Sequence, residues 1–222
     1  MSYTVKRIDK KTANAVVSTK HYSRRLGIFW EGFGLYDNDK LVGVCCFGQP
    51  SPAIQKHAFK DRTFRLYELT RLVVDDGLYN AASFLIATSL KMLSQRPCAV
   101  VSYADSMHGH CGIVYQATNW LYTGSTVSHD KLYKIGESIY HPITLRDQFG
   151  VTNPIAWCKG EGATMGVEII HPEPKHRYFF FCGTSNQKKQ MRSLLRYEHK
   201  PYPKSEKKTY DSGSKKCAEC IG

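Results

Sequence analysis

The 222-residue sequence contains no run of about 18 apolar residues, which is the length that a membrane-spanning helix needs. Its first residues, MSYTVKRIDKK, are basic but lack the apolar stretch that follows in a signal peptide. Eight cysteines occur without regular spacing, and Cys45, Cys46, Cys98 and Cys182 lie in apolar runs, where thiols behave as small hydrophobic groups. We therefore expect no membrane partner, no disulfide framework and a location in the reducing cytoplasm.

Acidic residues are also scarce: 31 Lys and Arg stand against 19 Asp and Glu, which gives a formal charge of +12 and favours a polyanionic partner. Residues 186–222 carry half of this excess, interleaved with Tyr197, Tyr202 and Tyr210. This segment is either a solvated tail or, as we favour, an arm that contacts phosphates and stacks on bases. The predicted nucleic-acid contacts are Arg24, Arg25, Lys188, Lys189, Arg192, Arg196 and Lys204.

The hydrophobic content of 42% is sufficient for one full core, so we predict a domain over 1–185 and a basic C-terminal helix with a flexible tail over 186–222. Aromatic and β-branched runs at 28–36 and 41–48 predict a β-hairpin. The segment 49–62 is predicted to be an irregular basic excursion of the kind that borders sites.

Residues 64–74 predict a central strand that ends at the Asp75-Asp76-Gly77 turn. Strict alternation places Glu68 and Arg71 on opposite faces of this strand, so a site that uses both side chains requires a β-bulge. Asn80 is a candidate N-cap for a helix over 81–93, whose wide apolar surface, including Phe84, predicts burial on a sheet.

The later chain alternates between strands and helices. We predict strands at 98–104 and 120–123 around a loop at 105–110 and a helix at 112–119, weak strands near 131–135, 139–145 and 164–170, a clear strand at 176–182, and a basic helix at 187–196.

This order of elements resembles the GNAT acyltransferase fold, an α+β fold with a mixed twisted β-sheet flanked by helices, here with a basic C-terminal extension. GNAT enzymes hold the pyrophosphate of coenzyme A on an (Arg/Gln)-x-x-Gly-x-(Gly/Ala) loop at a helix N-terminus. The equivalent stretch here, 75–83, lacks this glycine spacing and contains two carboxylates. Acyl-CoA is therefore a doubtful donor, and Asn80 is kept as a donor-binding candidate beside Glu68 and Arg71.

Three stretches are similar to the phage Mom family: Lys20-His-Tyr-Ser23, then Glu68-Leu-Thr-Arg-Leu72 with Val101-Ser-Tyr-Ala-Asp105, and Pro201-Tyr-Pro-Lys204 after a Tyr-Phe-Phe-Phe strand. The resemblance implies conversion of adenine in double-stranded phage DNA to N6-carbamoylmethyladenine, which protects the DNA from host restriction in the bacterial cytoplasm. It implies functional positions at His21, Tyr22, Ser102, Tyr103 and Asp105, and a possible requirement for iron.

The residues themselves suggest roles, each with a structural alternative. His21 and Tyr22 offer acid/base chemistry and a stacking surface, or form a connector. Glu68 and Arg71 position and clamp a donor, or pair with each other as a structural ion pair. Asp105 accepts the proton of the adenine amino group, or caps the following turn.

Two sets of residues are candidate metal ligands. Asp105, His108 and His110, with His21 as a distant fourth, have the ligand types that iron or zinc prefers, although they match no established spacing. Cys217 and Cys220 form a single C-x-x-C pair, which is more typical of an untethered tail than of a zinc site.

The implied product is an isomer of N6-glycyl adenine, so glycyl-tRNA is a hypothetical donor. A target base in a duplex has to be flipped out, and Tyr22, Tyr103 or Trp30 is available to stack on it. Two alternative functions remain open: a GNAT-like N-acyltransferase that acts on a protein or small amine, and a non-catalytic nucleic-acid-binding module.

Overall fold

The computed structural model describes residues 3–126 and 131–204. The strands within these ranges are β1 (Tyr3–Ile8), β2 (Glu31–Asp37), β3 (Lys40–Gly48), β4 (Arg65–Val74), β5 (Cys98–Ala104), β6 (Leu121–Ser125), β7 (Leu132–Ile135), β8 (Ser138–Tyr140), β9 (Glu168–Ile170) and β10 (His176–Cys182). The helices are α1 (Lys10–Lys20), α2 (Pro52–His57), α3 (Ala81–Met92), α4 (Ile113–Ala117), α5 (Pro142–Phe149), α6 (Pro154–Lys159), α7 (Glu161–Thr164) and α8 (Ser185–Leu194), with a 3-10 turn at Ser106–His108.

Seven strands form one mixed sheet in the order β1-β2-β3-β4-β5-β10-β6. All neighbouring pairs are antiparallel except β4 and β5, which are parallel. The predicted hairpin is confirmed as β2 and β3, joined by a tight turn in which Asn38 has a φ of 53°. Together with helices on both faces, this sheet confirms the predicted α+β class and the predicted order of elements.

One face of the sheet is covered by α3, whose Leu85, Ile86 and Leu90 are fully or almost fully buried. This confirms the predicted buried helix. Two details of that prediction are wrong. Phe84 is 40% exposed, and Asn80, which stands at the N-cap position, has a φ of 53° and makes no side-chain capping hydrogen bond.

The opposite face is covered by three helices. Ala13 and Val17 of α1 pack on β3 and β4, whereas α2 and the end of α8 pack on Leu66 and Phe179. The prediction that 49–62 is irregular is wrong in part, because Ser51 accepts a hydrogen bond from the Ile54 amide and so caps α2.

The predicted basic helix is confirmed as α8, which begins with a capping box formed by Thr184 and Gln187. The domain boundary between 185 and 186 remains a prediction. The expected flexible tail, including Tyr210, Cys217 and Cys220, lies outside the described residues.

A small unit between β6 and β10 has a core around Tyr133 and Leu145. It combines the three-stranded sheet β8-β7-β9 with α5, α6 and α7. The weak strands near 131–135 and 164–170 are present in shortened form. The strand predicted at 139–145 ends at Tyr140, because His141 caps α5 and Pro142 fits its first turn.

Cys45, Cys46, Cys98 and Cys182 are buried free thiols, as expected for small hydrophobic side chains. None of the helices in residues 3–126 and 131–204 is long and apolar enough to cross a membrane.

Candidate active site

A β-bulge in β4 brings Glu68 and Arg71 to the same face of the sheet. Arg71 pairs with Cys46 and Leu69 with Phe47, so Thr70 has no partner residue in β3. The Thr70 hydroxyl donates to the Cys46 carbonyl at 3.1 Å, which holds the bulge in place. The predicted bulge is confirmed.

The parallel strands β4 and β5 pair over only four residues. The last paired residues are Glu68 and Val101, although both strands continue beyond them. Beyond this point the side chain of Ser102 replaces the lost backbone pairing, because its hydroxyl donates to the Leu69 carbonyl at 3.0 Å. The strands therefore part beside Glu68, where a ligand can approach the sheet.

His21 and Tyr22 follow α1 and lie on the Glu68 face. His21 is only 7% exposed, and its Nδ1 lies 3.0 Å from the Ser23 amide nitrogen and 2.8 Å from the Ser23 hydroxyl. Burial, with further contributions from Arg71, His108 and His110, lowers the pKa of His21 to about 3. The Tyr22 ring lies 4.2 Å from the rings of both His21 and His108.

Arg71 is held by main-chain oxygens. Its Nε donates to the Arg25 carbonyl and its Nη1 to the Thr70 carbonyl, both at 2.6 Å. Glu68 and Arg71 form no direct ion pair in the part of the chain that the structure describes. The structural ion pair considered from the sequence is therefore not formed.

Burial raises the pKa of Glu68 to about 7, against the opposing effects of Arg71, the Ser51 amide and Lys175. A carboxyl group with this pKa is present in both protonation states near neutral pH, which suits proton transfer.

Both carboxylate oxygens of Asp105 have partners. Oδ2 lies 3.0 Å from the Lys175 ammonium, and Oδ1 accepts a hydrogen bond from the Met107 amide at 3.2 Å. The second contact confirms the capping alternative for Asp105. The sequence reasoning missed Lys175, which lies beside Asp105 because β10 runs antiparallel to β5 and begins where β5 ends.

The other three candidates lie in different surroundings. Ser102 is fully buried, and its oxygen lies 2.8 Å from the Tyr115 hydroxyl on the α3 face of the sheet. Tyr103 lies on the Glu68 face, where burial and the nearby Glu68 raise its pKa. Asn80 is exposed, and none of the hydrogen bonds among the described residues joins it to Glu68 or Arg71.

The segment 75–83, which was expected to correspond to a pyrophosphate loop, borders a surface pocket rich in carboxylates. This pocket is lined by Asp37, Asp39, Asp75 and Asp76, together with Lys40. Repulsion from these carboxylates disfavours a bound pyrophosphate.

The sequence model of the Mom protein family matches residues 2–204. The chain belongs to this family. It is 29% identical over 203 residues to the methylcarbamoylase mom of Escherichia phage Mu, across 86% of this chain and 80% of that protein.

Solved acetyltransferase structures are also similar to this Mom family protein. A probable acetyltransferase from Staphylococcus epidermidis superimposes with a TM-score of 0.48 at 10% identity, over 82% of this chain and 100% of that one. An N-acetyltransferase from Staphylococcus aureus superimposes with a TM-score of 0.46 at 13% identity, over 82% of this chain and 98% of that one.

This Mom family protein carries exposed basic side chains on the Glu68 face. Helices α2 and α8 adjoin there, because the Lys60 amide donates to the Leu194 carbonyl and the Arg196 amide to the Ala58 carbonyl, both at 2.9 Å. We define the basic surface as Lys56, Lys60, Lys188, Lys189, Arg192 and Arg196, all of which are exposed.

The other predicted nucleic-acid contacts, Arg24, Arg25 and Lys204, are exposed as well. Arg24 and Arg25 lie close to the candidate site in the chain segment that follows Tyr22. The Arg25 guanidinium lies 3.6 Å from Asp147 in α5.

The predicted metal ligands do not assemble. Across residues 3–126 and 131–204, no three His, Cys, Asp or Glu side chains are grouped so that they could hold a metal ion. The Asp105 carboxylate is paired with Lys175. The Asp105, His108 and His110 set therefore does not fit an iron or zinc site in this arrangement.

Proposed function

We propose that this Mom family protein modifies the N6 amino group of adenine in double-stranded phage DNA to give N6-carbamoylmethyladenine. The modification protects the DNA from restriction in the cytoplasm of the bacterial host. One observation carries the proposal: the bulge at Thr70 places Glu68 and Arg71 on the face that also holds His21, Tyr22 and Tyr103.

The weak nucleophilicity of an adenine amino group calls for a base beside it. Of the two carboxylates in the site, Asp105 has both oxygens engaged, one of them by Lys175, whereas Glu68 accepts from the Ser51 amide, forms no ion pair among the described residues and has a pKa raised by burial to about 7. We therefore assign proton abstraction to Glu68. Asp105 organises the loop at 105–110 and holds Lys175.

The target base has to leave the duplex to reach this site. Tyr103 lies on the Glu68 face and offers a ring for stacking, whereas the Tyr22 ring already packs at 4.2 Å against the rings of both His21 and His108. Trp30, the third candidate, is less suitable because the Arg65 guanidinium already covers its ring at 3.7 Å. The basic surface on the same face holds the DNA backbone through its phosphates.

For the donor we propose a glycyl ester, carried as glycyl-tRNA. The N6 nitrogen attacks the ester carbon, the bond to the tRNA 3′ oxygen breaks, and the N6 proton passes to Glu68. The free amine of the glycyl adduct then attacks C6 through a five-membered ring. Release of the former N6 nitrogen as a carboxamide, with proton transfer between the nitrogens, yields the carbamoylmethyl group.

This route predicts where isotopes appear. Cells that express the protein and take up ¹⁵N-glycine are expected to yield a modified base in which the ring-attached nitrogen is labelled and the carboxamide nitrogen is not. Absence of the glycine label from that ring-attached nitrogen would exclude a glycyl donor. It would leave the modification of adenine itself in place.

Protection from restriction tests the function as a whole. Plasmid DNA from expressing cells is expected to resist restriction enzymes whose sites contain adenine, and DNA from cells with Glu68→Gln is expected to be cut. An N-acyltransferase for proteins or amines would leave the DNA sensitive. A non-catalytic binding module would give the same sensitivity with wild type and Glu68→Gln.

A further inference from the structure

We infer that His21 acts as a neutral hydrogen-bond donor that binds the acyl carbonyl oxygen of the donor through Nε2–H. This assignment rests on the proposed function and specifies one step of it. It differs from general acid/base work, which is the role that an imidazole in this position first suggests.

The tautomer of His21 follows from a single main-chain contact. The Ser23 amide nitrogen lies 3.0 Å from Nδ1 of His21. A backbone N–H only donates, so Nδ1 must present its lone pair and carry no proton. In a neutral imidazole the remaining proton then resides on Nε2.

The surroundings of His21 keep the ring neutral. The side chain is 7% exposed and lies close to Arg71, His108 and His110. Burial and neighbouring positive charge both disfavour an imidazolium ion. With Nδ1 occupied by Ser23, the ring has no basic nitrogen left to take a proton from a substrate.

The Nε2–H group is available to a ligand. Among the described residues, the side-chain hydrogen bonds of His21 all involve Nδ1. Arg71 lies nearby with Nε and Nη1 engaged by carbonyl oxygens, and no described residue accepts a hydrogen bond from its Nη2. Two hydrogen-bond donors, one of them cationic, therefore lie close together without an acceptor among the described residues.

Acyl transfer creates a charge that matches these donors. When the N6 lone pair forms the bond to the ester carbon, the carbonyl π electrons move onto the carbonyl oxygen. Collapse of this intermediate restores the carbonyl and expels the ester oxygen, while Glu68 takes the N6 proton. Donors aimed at the transient oxyanion accelerate such a step.

Two substitutions separate a donor from a base. The side-chain amide of His21→Gln places its nitrogen near the position of Nε2, whereas that of His21→Asn places it near Nδ1. We expect His21→Gln to keep modified adenine within about tenfold of wild type, and His21→Asn and His21→Ala to lose about 10²–10³-fold, as for removal of an oxyanion donor. Equal loss in all three variants would overturn the donor role.

A measurement on the unaltered protein guards against unfolding of the variants. In ¹⁵N spectra of histidine-labelled wild type at pH 7, the His21 ring is expected to show a protonated Nε2 and an unprotonated Nδ1. Protonation of Nδ1, alone or in both positions, would contradict the inference. Failure of the wild type to modify DNA would instead refute the proposed function and leave the tautomer unaffected.

Discussion

The hydroxyl of Ser102 spans the gap between β4 and β5 and donates to the Leu69 carbonyl oxygen at 3.0 Å. Backbone pairing between the two strands has already ended at Glu68 and Val101. A buried carbonyl without a partner is costly, so this side chain allows the strands to part without that penalty. Ser102 is fully buried and therefore stabilises the separation of β4 and β5 beside the site without contact with solvent.

Replacement of Ser102 tests this supporting role. Ser102→Ala removes the partner of the Leu69 carbonyl and the contact with the Tyr115 hydroxyl. We expect a loss of about 1–3 kcal/mol in the free energy of unfolding, measured with urea. Activity per folded molecule should stay within a few-fold of wild type. Unchanged stability with abolished activity would make Ser102 a catalytic residue.

The pH dependence of activity tests Glu68. Since a general base has to be ionised, activity should rise with pH through about 7, where the Glu68 pKa lies. Glu68→Gln is expected to lower the rate by about 10²–10⁴-fold and to remove this rise. Glu161→Gln, at an exposed position in α7, makes the same chemical change away from the site and serves as the control. An unaltered pH profile in Glu68→Gln would assign the base elsewhere.

The low pKa of His21 predicts a loss of stability in acid. The pKa falls from 6.5 to about 3 on folding, so the unfolded chain binds the proton more readily than the folded chain. The contribution of His21 to stability is therefore complete above about pH 6.5 and disappears as the pH falls towards 3.

Thermal melting between pH 7 and pH 4 measures this effect. His21→Gln should show a smaller decrease in Tm between pH 7 and pH 4 than wild type. His171→Gln, a control at an exposed position, should show the same decrease as wild type. Parallel Tm curves for wild type and His21→Gln would contradict the buried, neutral state of His21.

The basic surface predicts a salt-dependent affinity for duplex DNA. Lys188→Glu, Lys189→Glu and Arg192→Glu are each expected to weaken binding and to reduce the slope of log K against log salt by about one per lost phosphate contact. Lys91→Glu makes the same charge change in α3, on the opposite face of the sheet. Fluorescence anisotropy at several salt concentrations measures both effects. Equal weakening by Lys91→Glu would show that net charge matters and that this surface does not.

Local sequence patterns predicted much of the fold. The hairpin, β4, α3, β5 and β10 have apolar periodicities that identify them without knowledge of their partners. The bulge in β4 followed from two charged residues three positions apart, under the assumption that both face one site. Helix α2 was missed, although Ser51 followed by Pro52 is a pattern typical of a helix start.

The missing parts of the site depend on contacts between distant residues. Lys175 meets Asp105 because β10 inserts between β5 and β6, and no local pattern specifies which strand becomes a neighbour. Ser102 contacts Leu69 of β4 and Tyr115 of α4, which are two elements other than its own strand, β5. Sequence reasoning therefore indicated candidate residues for the site but not the contacts that hold them in place.

Mass spectrometry of nucleosides from plasmid DNA is the most direct test of the central claim. The plasmid is recovered from cells that express the wild type, Glu68→Gln or Glu161→Gln. We expect a deoxyadenosine derivative heavier by a carbamoylmethyl group with wild type and Glu161→Gln, and only unmodified deoxyadenosine with Glu68→Gln. Unmodified deoxyadenosine from cells that contain folded wild-type protein would contradict the assignment of this chain as a DNA adenine-modifying enzyme.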